Sequence, residues 1–146
     1  MEVEYDLSKC IGFVTNTAIK TITENFNKRL EQHGLTRIQW IALYFLLNAD
    51  QPMGQKELSS LMNIKESSLV RLLDRMSRDG LIQRVENATD RRMKYVMLSD
   101  SGRGKAIDLY PLGKEFSDLL LKEVSDEEVA IFQQVLNKML QNINEK

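Results

Sequence analysis

The sequence predicts a mainly helical α+β chain, and three observations carry that expectation. Between Asn63 and Asp79, Leu69, Leu72, Leu73 and Met76 fall at i, i+3, i+4 and i+7, the spacing of one buried helical face. Directly after it, Leu81 to Val85 and Met93 to Leu98 read as two short strands around a turn-rich segment, Glu86-Asn87-Ala88-Thr89-Asp90, that leads into Arg91 and Arg92. Apolar helical stripes then recur on both sides of this unit, one before it and two after it.

Taken in order, Leu7 to His33 predicts a long first helix. Leu7, Ile11, Val14, Ala18, Ile22, Phe26 and Leu30 recur at steps of three and four, and Gly34 is a natural stop. Thr36 and Gln39 form a capping box for a second helix, with Ile38, Ile41, Ala42, Phe45 and Leu46 as its buried stripe and Trp40 at its edge. Gln51-Pro52-Met53-Gly54 reads as a connector, since proline and glycine together break helix and strand. Gln55 to Met62 is a short third helix, and the tight turn at Asn63-Ile64 joins it to the amphipathic helix that follows.

That fourth helix carries Ser68, Arg71 and Arg75 beside its buried face, with Arg78 near their line. Two short helices across a tight polar turn, the second with exposed arginines, make a helix-turn-helix suited to a DNA major groove. The helix stops at Asp79-Gly80, and the two strands form a wing beside it. Ser99 can cap a fifth helix over 100–123, in which Pro111 predicts a kink or break near Tyr110. Ser125 to Glu128 matches a second capping box and opens a last helix to about Asn142, with Val129, Phe132, Leu136, Met139 and Ile143 as its stripe.

Composition bounds the function. At 146 residues, with 42% hydrophobic and 28% charged residues, the chain reads as one domain or two lobes sharing a core. The acidic start MEVEYDLSK does not resemble a signal peptide, and no apolar run is long enough to span a bilayer, so a cytoplasmic protein is expected. One cysteine, Cys10, and one histidine, His33, exclude an intrachain disulfide framework and argue against a metal site or a nucleophile, base and orienter set. No metal, cofactor or enzymatic activity is expected. Net charge is −1 overall, yet residues 54–98 carry +3 and the remainder −4. A modestly basic lobe on an acidic frame suits a polyanionic partner.

Plainer explanations stand beside the sharper ones. Arg71, Arg75 and Arg78 interleave with Asp74 and Asp79, the pattern of a solvated helix face held by i, i+3 and i+4 ion pairs. DNA is favoured because Arg91 and Arg92 repeat the cationic bias on a second element. Ser101 to Lys105 lacks the spacing of a phosphate-binding loop, Glu127 and Glu128 are better explained as a helix start than as acid and base, and the methionines fit core filling. His33 reads as a helix-terminal residue, and Cys10 as a small, partly buried apolar residue that only a depressed thiol pKa would make reactive.

Ile64 to Arg84, together with Asp90-Arg91-Arg92, Leu98-Ser99 and Gly102-Arg103 in that order, resembles the recognition helix and wing signature of the multiple-antibiotic-resistance regulator (MarR) family. The resemblance extends over nearly the whole chain. It implies a winged helix-turn-helix transcription regulator, usually a repressor, that acts as a homodimer on double-stranded DNA with a pseudo-palindromic operator. It further implies a dimerisation helix over 1–34, a DNA-binding lobe over 35–98 and dimerisation helices over 99–146. Lys65, Ser67, Ser68 and Arg71 would lie near bases or phosphates and Arg75 at the backbone. Asp90 would brace Arg92 toward the minor groove, with Arg91 able to exchange roles with it. A small aromatic or anionic effector in the crevice between the lobes would release the DNA. Redox sensing through Cys10 and ligand-independent regulation are the alternatives.

Overall fold

Two short helices and a small antiparallel sheet form the part of the chain that matters most for function. A computed structural model describes residues 4–86, 89–90 and 92–144. The elements are α1 (Ile11–Glu31), α2 (Arg37–Leu47), β1 (Met53–Gly54), α3 (Gln55–Met62), α4 (Glu66–Arg78), β2 (Ile82–Glu86), β3 (Lys94–Leu98), α5 (Asp100–Leu120) and α6 (Asp126–Asn144). The chain divides into two compact units, one through Tyr110 and one from Pro111 onward.

The first helix starts later than its periodicity predicts. Asp6 accepts from the Ser8 N–H at 3.0 Å and nucleates a separate 3-10 turn over Leu7–Lys9, and Cys10 is extended, so α1 begins at Ile11. Of its expected stripe, Phe26 and Leu30 are buried, while Leu7, Ile11 and Val14 stay exposed. Gly34, at φ 74°, ends the helix, and the Leu35 N–H reaches back to the Leu30 carbonyl at 3.2 Å. That is the left-handed stop a glycine permits without a Cβ clash.

The α2 capping box forms as expected: Thr36 Oγ1 accepts from the Gln39 N–H at 3.2 Å, and Gln39 Oε1 accepts from the Thr36 N–H at 3.0 Å. The buried face is rotated from the expected one. Gln39, Ala42, Leu43 and Leu46 are buried, whereas Ile38, Ile41 and Phe45 are only half-buried. Trp40 does more than sit at an edge. Its indole N–H donates to the Leu109 carbonyl of α5 at 2.9 Å, and its ring lies between Phe26 and Tyr44 at centroid distances of 5.3 and 6.0 Å.

Met53-Gly54 is a strand and not merely a connector. It pairs antiparallel with β3, Met53 opposite Val96 and Gly54 opposite Tyr95, and the sheet order is β1-β3-β2. Pro52 stands just before the strand, so its missing N–H costs no ladder bond, and an edge position tolerates the glycine. β2 and β3 pair from Ile82–Leu98 to Glu86–Lys94.

Of the kink or break expected near Tyr110, the break does not occur: α5 continues through Pro111 to Leu120. Pro111 removes the donor that the Ile107 carbonyl would otherwise receive. Both residues are exposed, where water can take that carbonyl. The boundary between the two compact units nevertheless falls at this proline. At the start of α5, Ser99 Oγ accepts from the Gly102 N–H at 3.0 Å and donates to the Gly80 carbonyl. A Cβ on Gly102 would stand 1.9 Å from the Leu81 carbonyl oxygen, so only glycine lets helix and strand meet this closely. In the second unit, Ser125 and Glu128 complete their reciprocal cap at 3.0 and 3.1 Å.

Candidate nucleic-acid interface

The turn between α3 and α4 is made by Asn63 in the left-handed region, φ 55° and ψ 48°. Asparagine is among the few side chains that tolerate this conformation. The Ile64 N–H then reaches the Ser59 carbonyl at 3.1 Å, closing the end of α3 and turning the chain directly into α4. Along α4 the predicted face is buried, with Leu69, Leu73 and Met76 at 0% exposure and Leu72 at 7%. Burying four such side chains fixes the rotation of the helix, at roughly 1.5 to 3 kcal/mol each. The opposite face is therefore set as well: Lys65, Ser67, Ser68, Arg71 and Arg75 are all exposed, as are Arg78 and Asp74.

Lys65 occupies the N-cap of α4 without a side-chain cap bond. Its neighbouring first-turn N–H groups thus keep their donor capacity on the side that carries Ser67 and Ser68. Ser68, Arg71 and Arg75 also border a groove of about 390 Å³ whose apolar lining is Ile38 of α2, Ile64 and Leu72. The end of α4 is held by Gly80 at φ 75° and by the Leu81 N–H on the Met76 carbonyl at 2.9 Å.

The hairpin places its cations differently. Asp90 Oδ1 accepts from the Arg92 backbone N–H at 2.9 Å and from its Nε at 3.3 Å. The carboxylate therefore holds the backbone turn and the root of the guanidinium together, while the Arg92 side chain remains 93% exposed. Arg91, its expected partner or substitute, lies outside the described residues.

Sequence reasoning missed a further contact. Arg84 of β2 forms a close hydrogen-bonded ion pair with Asp74 of α4. Ion pairs within α4 were the plain expectation for Asp74, and the acid takes a partner on another element instead. Among the described residues, Arg71, Arg75 and Arg78 have no ion-pair partner. No local signal in the sequence marks this pair, because its members are ten residues apart and meet only when the strand folds back along the helix. Two further clefts, of about 380 and 430 Å³, lie between α4 and the hairpin, and Val70, Met93 and Lys94 line both.

Cys10 sits at the N-cap of α1, half-exposed. The Tyr5 hydroxyl beside it, and then the Phe13 and Gly12 backbone N–H groups, hold its thiol below the ordinary cysteine range. Ser101 to Lys105 lies inside α5 and makes no phosphate loop. Among the described residues, no group of three histidine, cysteine, aspartate or glutamate side chains could hold a metal ion. No described helix is long and apolar enough to cross a membrane.

A tight two-helix turn, a helix with one buried and one cationic face, and an adjoining hairpin define a winged helix-turn-helix DNA-binding lobe. The family model described as the MarR family matches residues 33–93, from just before α2 through β2 to the turn before β3. The chain is 30% identical over 126 residues to YwoH, an uncharacterized HTH-type transcriptional regulator of Bacillus subtilis, covering 86% of this chain and 90% of that one. It is 25% identical over 127 residues to the HTH-type transcriptional regulator MhqR of the same organism, covering 86% of each. Among solved structures, the S. aureus MepR–DNA complex superposes with a TM-score of 0.85 at 23% identity, over 91% of this chain and 98% of that one. The chain belongs to the MarR family of DNA-binding transcriptional regulators.

Proposed function

We propose that two copies of the chain form a homodimer that binds a pseudo-palindromic operator and represses transcription, and that a small aromatic or anionic effector releases it. In this reading 1–34 and 99–146 supply dimerisation helices, and 35–98 is the DNA-binding lobe. The observation that carries it is the division of α4. Lys65, Ser67, Ser68, Arg71 and Arg75 share the exposed side of a helix whose other side is locked into the core. The first-turn residues and Arg71 lie near the bases or phosphates of the major groove, and Arg75 meets a backbone phosphate. Arg92, steadied by Asp90, enters the neighbouring minor groove, where narrow A·T-rich sequence concentrates negative potential. Two recognition helices in successive major grooves require half-sites about 34 to 36 Å apart.

Dimerisation is supported by apolar surface that one chain leaves bare. Ile131, Phe132, Val135, Leu140 and Ile143 of α6 are exposed, as are Ile11, Phe13, Val14 and Ile19 of α1. Patches of this kind on a water-borne protein mark interaction sites. The clefts beside Val70 and Met93 lie within the DNA-binding lobe rather than in the crevice between lobes, and they have the volume of small-molecule sites. Lys56, Arg92 and Lys94 outnumber Glu66 around the larger cleft and suit an anionic effector. The MepR complex, a structure of a relative on DNA, makes the same docking mode a natural one for this fold. A site of action in the cytoplasm follows from binding chromosomal DNA.

Sequencing the DNA fragments retained by the purified protein tests the reading, and recovery of no common inverted repeat counts against it. On the operator so found, Arg92→Ala is expected to weaken binding by about 1 to 3 kcal/mol at fixed salt. Unchanged affinity removes Arg92 from the interface.

Cys10 favours a second reading, in which oxidation of the thiolate releases DNA. The Tyr5 hydroxyl and the α1 N-terminus stabilise the reactive form of the sulfur. Peroxide should then release operator from the parent protein and leave Cys10→Ser bound. Equal behaviour of the two proteins removes this reading.

A further inference from the structure

Asp74 is an acid among the arginines of the recognition helix. Its helical neighbours at i−3 and i+4 are Arg71 and Arg78, and on an isolated helix both spacings favour Asp–Arg pairs. The fold sends the carboxylate elsewhere: Asp74 Oδ1 accepts from Arg84 Nη2. Arg84 is well placed to hold it, because its backbone lies opposite Val96 in the middle of the β2–β3 ladder and Val96 is fully buried. The strand is thus anchored under the guanidinium. Arg71 and Arg78 are left, among the described residues, without a carboxylate partner.

We propose that Arg84 is a positioning residue for DNA binding: by holding Asp74 against the hairpin, it keeps that acid from Arg71 and Arg78 and leaves their guanidiniums to the operator phosphates. The inference rests on the DNA-binding reading above and deepens it. A phosphate and a carboxylate compete for the same fork of N–H donors. An arginine already paired to an aspartate has shed its counterion demand and contributes little to the salt-dependent part of DNA affinity. Removing Arg84 releases Asp74 to its helical neighbours, so one arginine of α4 is withdrawn from the operator although Arg84 itself makes no contact with the DNA.

The test is operator binding as a function of salt for four proteins: the parent, Arg84→Gln, Asp74→Asn and the double variant. Arg84→Gln is expected to flatten the slope of log K against log salt by about 0.9 per subunit, the contribution of one phosphate contact. The double variant is expected to recover the parent slope, because the acid that captured an arginine has gone. A double variant as flat as Arg84→Gln means that Arg84 touches phosphate itself, and overturns the proposal. So does an Arg84→Gln protein with the parent slope. Thermal unfolding of all four separates a folding defect: a fall in Arg84→Gln stability that Asp74→Asn does not repair, accompanied by a slope that it does not restore, also overturns it. If the parent binds no duplex in a salt-dependent way, the DNA-binding reading itself falls, a result distinct from any difference among the four.

Discussion

Helices α4 and α6 carry apolar stripes of the same spacing, and the chain treats them in opposite ways. Leu69, Leu72, Leu73 and Met76 of α4 are buried by the chain's own α3 and hairpin neighbours. Along α6, Phe132 is 59% exposed and Ile143 77%, and none of the described residues of that helix is buried. Periodicity identifies a helix with an apolar face in both cases. It does not say whether the covering surface belongs to the same molecule.

The largest expected effect comes from breaking the buried side of this contrast. Leu73→Ala should cost about 2 to 5 kcal/mol of folding stability whatever the protein concentration, measured by urea denaturation. Phe132→Ala should leave the unfolding of the isolated subunit nearly unchanged and should weaken self-association, read by sedimentation across a dilution series. A Phe132→Ala protein that associates as the parent does would place the partner surface elsewhere.

Next in size is Gly102→Ala. The added Cβ meets backbone, which cannot swing aside as a side chain can, so about 1 to 3 kcal/mol or more should be lost as the start of α5 moves off Leu81. Parent-like stability would mean that helix and strand separate at no cost. Smaller again, Thr36→Ala should lose about 1 kcal/mol by opening the α2 capping box. Ser125→Ala removes the equivalent box from α6. Since α6 has no buried residue to enforce its helix, far-UV dichroism should register the Ser125 variant locally, while the Thr36 variant unfolds with the whole lobe.

The smallest effect is one of pH. The Ser125 backbone and then its side chain hold the Glu128 carboxyl below the usual carboxylate range. A group whose folded pKa is depressed stabilises the fold above its unfolded pKa and loses that contribution as pH falls through the folded value. The α6 cap should therefore be intact at neutral pH and weaken under acid, as followed by NMR titration of Glu128. The Ser125→Ala protein should titrate closer to an ordinary glutamate. A Glu128 that titrates alike in both proteins would break the assignment.

How much could be read in advance depended on contrast within each helix. In α4, every position off the buried face except Val70 is polar or charged, so its phase is unambiguous and the exposed set of Lys65, Ser67, Ser68, Arg71 and Arg75 follows from it. In α2, RIQWIALYFLL, nearly every position is apolar, so two adjacent stripes fit equally well; Ala42 and Leu46 of the expected one are buried, and Ile38, Ile41 and Phe45 are half-buried. Leu43 is buried and Ile38 is not. Strand β1 was missed because two residues next to a proline carry no alternation, and it exists only where β3 offers a free edge. The resemblance of residues 64–103 to a regulator family, by contrast, needed only residue types in order.

The sequence alone determined which segments are helices, where caps and glycine stops end them, which face of α4 is cationic, and the family to which the chain belongs, because each is written in local spacing or in an ordered string of residues. Tertiary structure decided the rotation of α2, the glycine-only approach of α5 to Leu81, the indole bond of Trp40 to Leu109 and the withdrawal of Asp74 from its neighbouring arginines. Those depend on which distant groups share a few ångströms of space, and burial, hydrogen bonding and charge pairing act over that distance rather than along the chain.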